Sequence, residues 1–231
     1  MGFTGKGFVG FIGVSKVVPP ETLEYLGQGA QGGVNLTHTA PTGTMAGDRM
    51  MCSLSGYSLT GAQGVDGTVT PAAGWTEVAN LAATTERQTF RLYTKIADAN
   101  DEAGTSSYSW VMSAGGAAYG AFLCSTIPQA NGTTITPATS DAGLKESFSA
   151  GSPGGVWLFA ALMGKHYRTG GLGIASPVVT NPEAVLGASY SSNDEYGKHR
   201  HYLLPAPTTV TGTTGTSDYP YGGLIVVGVS R

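Results

Sequence analysis

The chain has 231 residues, of which 36 are glycine and only 12% are charged, with a net charge of −3. That length closes a substantial core, and the 41% hydrophobic content excludes wholesale disorder. Scattered basic residues exclude the positive stripe that neutralises nucleic-acid phosphates, and no run approaches the roughly 18–20 apolar residues of a membrane-spanning helix.

Glycine is costly inside helices and useful in turns, so this composition favours short strands joined by loops. In chain order, the first thirty residues, "MGFTGKGFVGFIGVSK" onward, are rich in glycine and aromatics. They read as an N-terminal arm (residues 1–30) whose Phe3, Phe8, Phe11 and Ile12 would be covered by a neighbouring subunit; a first strand of the same sheet is the equal alternative. The arm has no clean cleavage site for a secretory leader. Residues 34–40 suggest an early strand. Period-two alternation over 48–56 places Met50, Cys52 and Leu54 on one face. The segment "EVANLAATTERQ" is the one stretch that tempts a helix. Residues 89–97 alternate most cleanly, with Phe90, Leu92 and Ile96 inward and Arg91, Tyr93 and Lys95 outward.

"SSYSWVMS" and "YGAFLCSTI", separated by Gly115–Gly116, suggest a hairpin over 106–127. The runs "VWLFAALM" and "GLIVVGV" are apolar on both faces, as in central strands covered on two sides. Residues 183–191 and 199–205 supply two more strands between them. The sum is one all-β antiparallel sandwich over residues 31–231, with roughly eight to ten strands.

Motifs for chemistry are weak. GxGxxG occurs at Gly5, Gly7, Gly10 and again at Gly27, Gly29, Gly32, but neither match precedes a helix that would present its N-terminus to a pyrophosphate. No GxSxG elbow is present. His199 and His201 share a strand face, and Asp194, Glu195 or His166 would have to complete a metal set; exposed strand residues are the simpler account. The acidic clusters Asp98, Asp101, Glu102 and Asp194, Glu195 fall at turns, where Asp is favoured for backbone reasons. Cys52 and Cys124 sit in apolar runs and read as buried thiols. No catalytic residue, cofactor or metal is assigned.

Gly47–Asp48, the strand "RMMCSLS", Pro71, Gly74–Trp75, "FRLYTKIA", "YSWVMS" and "AYGAFLCSTI" form a progression over about residues 45–130. It resembles a jelly-roll β-sandwich module of tailed-bacteriophage virion proteins. The resemblance implies a non-enzymatic structural part of a tail, fibre or capsid decoration. Such a part is made in the host cytoplasm and assembles with itself, as a trimer for instance, and with other virion proteins. The alternative is a carbohydrate- or receptor-binding module that stacks a host surface glycan on exposed Trp75 and Tyr93.

Overall fold

The computed structural model describes residues 30–31, 35–58, 68–82, 88–113, 118–128, 135–144, 146–154, 157–166, 177–191, 198–205, 209–214 and 220–229. Phe3, Phe8, Phe11 and Ile12 of the expected arm lie outside them, as do the glycines of both GxGxxG motifs, Asp194 and Glu195. Among the described residues the protein is all-β and antiparallel, with one short helix.

The first half of the chain contributes β1 (Ala30–Gln31), β2 (Asn35–His38), β3 (Arg49–Ser58), β4 (Thr68–Thr70), β5 (Thr76–Ala82), β6 (Gln88–Ile96), α1 (Ala99–Glu102), β7 (Tyr108–Ser113) and β8 (Ala118–Ile127). They form a five-stranded sheet, ordered β1-β8-β3-β6-β5, and a three-stranded sheet, β2-β7-β4. The second half contributes β9 (Thr139–Leu144), β10 (Ser147–Gly151), β11 (Trp157–His166), β12 (Val178–Val179), β13 (Val185–Ser191), β14 (Lys198–Pro205), β15 (Thr209–Thr213) and β16 (Pro220–Val229). Their sheets are β9-β16-β11-β14-β13 and β10-β15-β12. Adding eight to each strand number of the first half yields the order of the second. The chain is a tandem repeat of one five-over-three sandwich.

The repeat holds at the level of single residues. Cys52 pairs with Tyr93 across β3 and β6, and Ala160 with Tyr202 across β11 and β14. Gly56 opposes Gly120, and Gly164 opposes Gly222. A bulge interrupts β5 after Glu77 and β13 after Leu186, in each case one residue beyond the partner of that tyrosine. The turn entering β5 closes with Trp75 N–H donating to the Ala72 carbonyl at 3.2 Å; the turn entering β13 closes with Ala184 N–H on Asn181 at 3.1 Å. In the first of these turns Gly74 takes a φ of 84°, a left-handed conformation that disfavours side chains.

Three apolar layers follow. Met50, Cys52, Leu54, Trp75, Tyr93, Trp110, Phe122 and Cys124 fill the first sandwich. Leu158, Ala160, Leu162, Tyr202, Val210, Leu224 and Val226 belong to the core of the second. A third cluster joins the halves, with Met51, Phe90, Leu92 and Ile127 meeting Phe159, Met163, Leu203, Ile225 and Val227. The two five-stranded sheets therefore pack face to face, and burying each large side chain there contributes about 1.5–3 kcal/mol.

Several expectations change. One sandwich of eight to ten strands becomes, among the described residues, sixteen strands in four sheets. "EVANLAATTERQ" begins with β5, because an edge position beside β6 overrides a weak helix preference. The 106–127 hairpin does not form: β7 and β8 lie in different sheets and face one another through Trp110 and Phe122 in the first core. Tyr93 points into that core, while Phe90 and Leu92 face the other sandwich. Both faces of β6 are covered from Phe90 to Tyr93, so its alternation separates two interiors there, whereas Ile96, expected inward, lies exposed at the end of the strand. The apolar runs in β11 and β16 are covered on both sides, as their composition requires.

Candidate functional site

Among the described residues, a concentrated group of reactive side chains lies between the two sandwiches. His199 and His201 stand two residues apart on β14, so period-two geometry sends both rings toward the first half. Facing them are Ser53 and Ser55 on β3 and Ser125 on β8. The contacts form a chain. Ser55 Oγ lies 2.8 Å from His199 Nε2, and Ser53 Oγ 2.8 Å from His199 Nδ1. The same Ser53 hydroxyl is 2.8 Å from His201 Nε2, and Ser125 Oγ is 2.6 Å from His201 Nδ1.

A neutral imidazole has one N–H donor and one bare acceptor, and a hydroxyl can donate once while accepting. The chain is satisfied when every link points the same way: Ser55 donates to His199, His199 to Ser53, Ser53 to His201, and His201 to Ser125. The reverse order serves equally. Cooperative polarisation along such a chain strengthens its links in a low-dielectric interior. All five residues are buried, both histidines completely. Burial pushes His201 well below the ordinary imidazole range, and the neighbouring His199 adds to the shift. Phe159 packs edge-on against the His201 ring at 4.8 Å.

Serine beside histidine is the chemistry of an activated nucleophile. Here each ring nitrogen already meets a hydroxyl, and the completely buried rings offer no surface to a substrate. The expectation of exposed His199 and His201 is corrected: the second sandwich presents them to the first. Among the described residues no group of three or more His, Cys, Asp or Glu could hold a metal ion. The arrangement orients two sheets through directional bonds inside a largely apolar interface.

The aromatic residues proposed for ligand stacking are interior. Trp75 is 6% exposed and Tyr93 is fully covered, so neither offers a ring face to a sugar. Trp75 packs against Tyr108 at 5.4 Å and 89° and against Trp110 at 5.4 Å, and Tyr93 lies 4.7 Å from Trp110. His38 stacks on Trp110 at 8° and meets Phe122 at 4.8 Å. Burial holds His38 below its usual range, partly offset by the Thr39 carbonyl and Asp101. Tyr93 donates its hydroxyl to Glu77 at 3.1 Å, and Arg91 holds the same carboxylate at 2.8 Å.

The acidic turn after β6 is a cap. Asp98 accepts from the Asn100 and Asp101 N–H groups, and Asp101 accepts from the Asp98 N–H, which is a capping box. Lys95 reaches Asp98 at 2.7 Å and Asp101 at 2.5 Å, while Tyr108 donates its hydroxyl to Asp101. Burial alone would lower the Lys95 pKa, but these two carboxylates outweigh it and hold the ammonium above its ordinary range. Burial would likewise raise Asp101, and Lys95 and Tyr108 pull it below the usual carboxylate range. This cluster fastens α1 to β6 and β7.

No protein-family model, curated protein or solved structure matches this chain. Among the described residues no helix is long and apolar enough to cross a membrane.

Proposed function

We propose that the chain is a non-enzymatic structural component of a tailed-phage virion, a tail, fibre or capsid-decoration part that acts by symmetric assembly. The observation that carries this is the doubled strand order. The pairings β1:β8, β2:β7 and β3:β6 recur as β9:β16, β10:β15 and β11:β14. They are three of the four pairs that nest when a long antiparallel hairpin is rolled into a jelly roll. The fourth, β4 with β5, is replaced by β5 on β6. This supports a jelly-roll origin for each sandwich. The sequence progression over 45–130 coincides with the first sandwich, and the second repeats its topology with other residues.

Two further features favour assembly over chemistry. The Ser–His chain joins sheets and is closed to substrates. The low charge density makes outer surfaces easy to dehydrate against neighbouring copies. Residues 1–30, with Phe3, Phe8, Phe11 and Ile12, are the segment proposed to reach a neighbouring subunit in a homo-oligomer such as a trimer.

The test is location. Density for the tandem sandwich in purified particles, at a site repeated by the particle's symmetry, is the expected result. A monodisperse monomer that never co-purifies with particles would overturn the proposal.

A further inference from the structure

The chain contains two cysteines. Cys52 on β3 and Cys124 on β8 are direct register partners on adjacent antiparallel strands. Opposed residues share a face of the sheet, and both side chains enter the same core cluster, completely buried. Directly opposed residues of an antiparallel pair have Cα atoms about 4.5–5.5 Å apart, inside the roughly 4.4–6.8 Å window of disulfides.

The second sandwich supplies a comparison. Its equivalent register pair is Ala160 opposite Val226, both buried. The fold accepts ordinary apolar side chains at this place, so packing does not require sulfur. Yet the whole cysteine complement of 231 residues falls on one cross-strand pair.

We propose that Cys52 and Cys124 are a disulfide-forming site, closed by exchange with a small-molecule disulfide such as oxidised glutathione. One protein thiolate attacks a glutathione sulfur, making a mixed disulfide and releasing one glutathione, which takes up the proton lost by that thiol. The second protein thiolate then attacks the protein sulfur of the mixed disulfide, forms the Cys52–Cys124 bond and releases the other glutathione, again with its proton. Two protein thiols are oxidised and one glutathione disulfide is reduced to two thiols.

Complete burial sets the order of events: exchange takes place before β8 docks beside β3, or when that pairing opens. The closed bond is then shielded from reductants by the same packing. It encloses the chain from β3 to β8, nearly the whole first sandwich, and a loop of that length limits the unfolded ensemble substantially.

The full chain, unfolded and reduced, is refolded in buffer containing either oxidised or only reduced glutathione, then quenched in acid and denatured. Intact mass and alkylation count the thiols. The oxidised sample should be monomeric, lighter by the two lost hydrogens, free of alkylatable thiol, and linked between the Cys52 and Cys124 peptides. Its melting temperature should exceed that of the reduced sample by roughly 5–15 °C, and Cys124→Ala should abolish the difference between buffers. Two alkylatable thiols, stable glutathione adducts or linked dimers after oxidative refolding would overturn the proposal. If refolding fails, the same thiol count on natively purified chain held with oxidised glutathione just below its melting transition decides in the same way.

Discussion

Ser53 is the central link between the sandwiches, and its removal tests the sealed interface quantitatively. Its hydroxyl serves both His199 Nδ1 and His201 Nε2 at 2.8 Å, with all three residues buried. Ser53→Ala leaves one imidazole donor and one imidazole acceptor unmatched, and an orphaned buried group costs about 1–3 kcal/mol, so the expected loss is about 2–6 kcal/mol. Urea denaturation read by tryptophan fluorescence and circular dichroism measures it, with Ser109→Ala, exposed on β7, as the control expected within about 0.5 kcal/mol of wild type.

The tandem repeat supplies the second arm of the cycle. Phe90 and Leu92 occupy in β6 the positions of His199 and His201 in β14. In a His199→Phe/His201→Leu background Ser53 has no imidazole to serve, and Ser53→Ala should be neutral or stabilising there. A coupling energy of at least about 2 kcal/mol is expected, above the few tenths typical of independent sites. A wild-type-like Ser53→Ala, or equal costs in both backgrounds, would refute the chain of bonds.

Acid should weaken the fold before carboxylates titrate. His201 is held well below the ordinary value of 6.5, so between that value and its folded pKa the unfolded state binds more protons. Stability is then complete above about pH 6.5 and declines as pH falls, by up to about 1.4 kcal/mol per pH unit for this group. The decline over pH 6.5–5, followed by urea midpoints, should shrink in His201→Leu. Trp75→Ala, which empties a 6%-exposed site, should cost about 3–5 kcal/mol in the same assay; unchanged stability would contradict its interior placement. Asp101→Ala strips an acceptor from Lys95 and Tyr108. It should cost about 2–4 kcal/mol, less than a fully broken buried pair because Asp98 still holds Lys95. A loss within error of zero in thermal or urea unfolding would count against the cluster's role.

Much of the fold was legible where periodicity was strong. β3, β6, β7, β8, β11, β13, β14 and β16 fall on the alternating or doubly apolar runs. The missed strands are mostly short or rich in threonine and glycine: β1 (Ala30–Gln31), β4 (Thr68–Thr70), β9 (Thr139–Leu144), β10 (Ser147–Gly151), β12 (Val178–Val179) and β15 (Thr209–Thr213), together with β5 (Thr76–Ala82), whose segment tempted a helix. β4, β10, β12 and β15 lie in the three-stranded outer sheets, where solvent on one face relaxes the demand for apolar residues, and β1, β5 and β9 are edge strands of the five-stranded sheets. The duplication was hidden because register, which sequence does not print, is what aligns the halves. Arg91 and Tyr93 against Arg200 and Tyr202, or Tyr119–Gly120 against Tyr221–Gly222, become informative only once the strands are paired.

His199 and His201 were read as exposed for the same reason. Ser53 and Ser55 alternate with Cys52 and Leu54, which in an isolated sandwich signals a solvent face. A second sandwich covers that face, so polar alternation here marks an interface. The available signal was the pair of histidines at i and i+2 in β14, which fit a strand buried on both sides only if partners wait opposite.

The sealed seam is tested most directly by long-range 15N–1H correlation of the histidine side chains across pH 5–8. The structure predicts that both rings are each locked in a single tautomer, with their N–H groups pointing the same way along the chain and slow to exchange with water, and that His201 titrates well below the ordinary imidazole range. Averaged tautomers and rapid exchange on either ring, or a His201 that titrates near 6.5, would show an open, solvated interface and contradict the account.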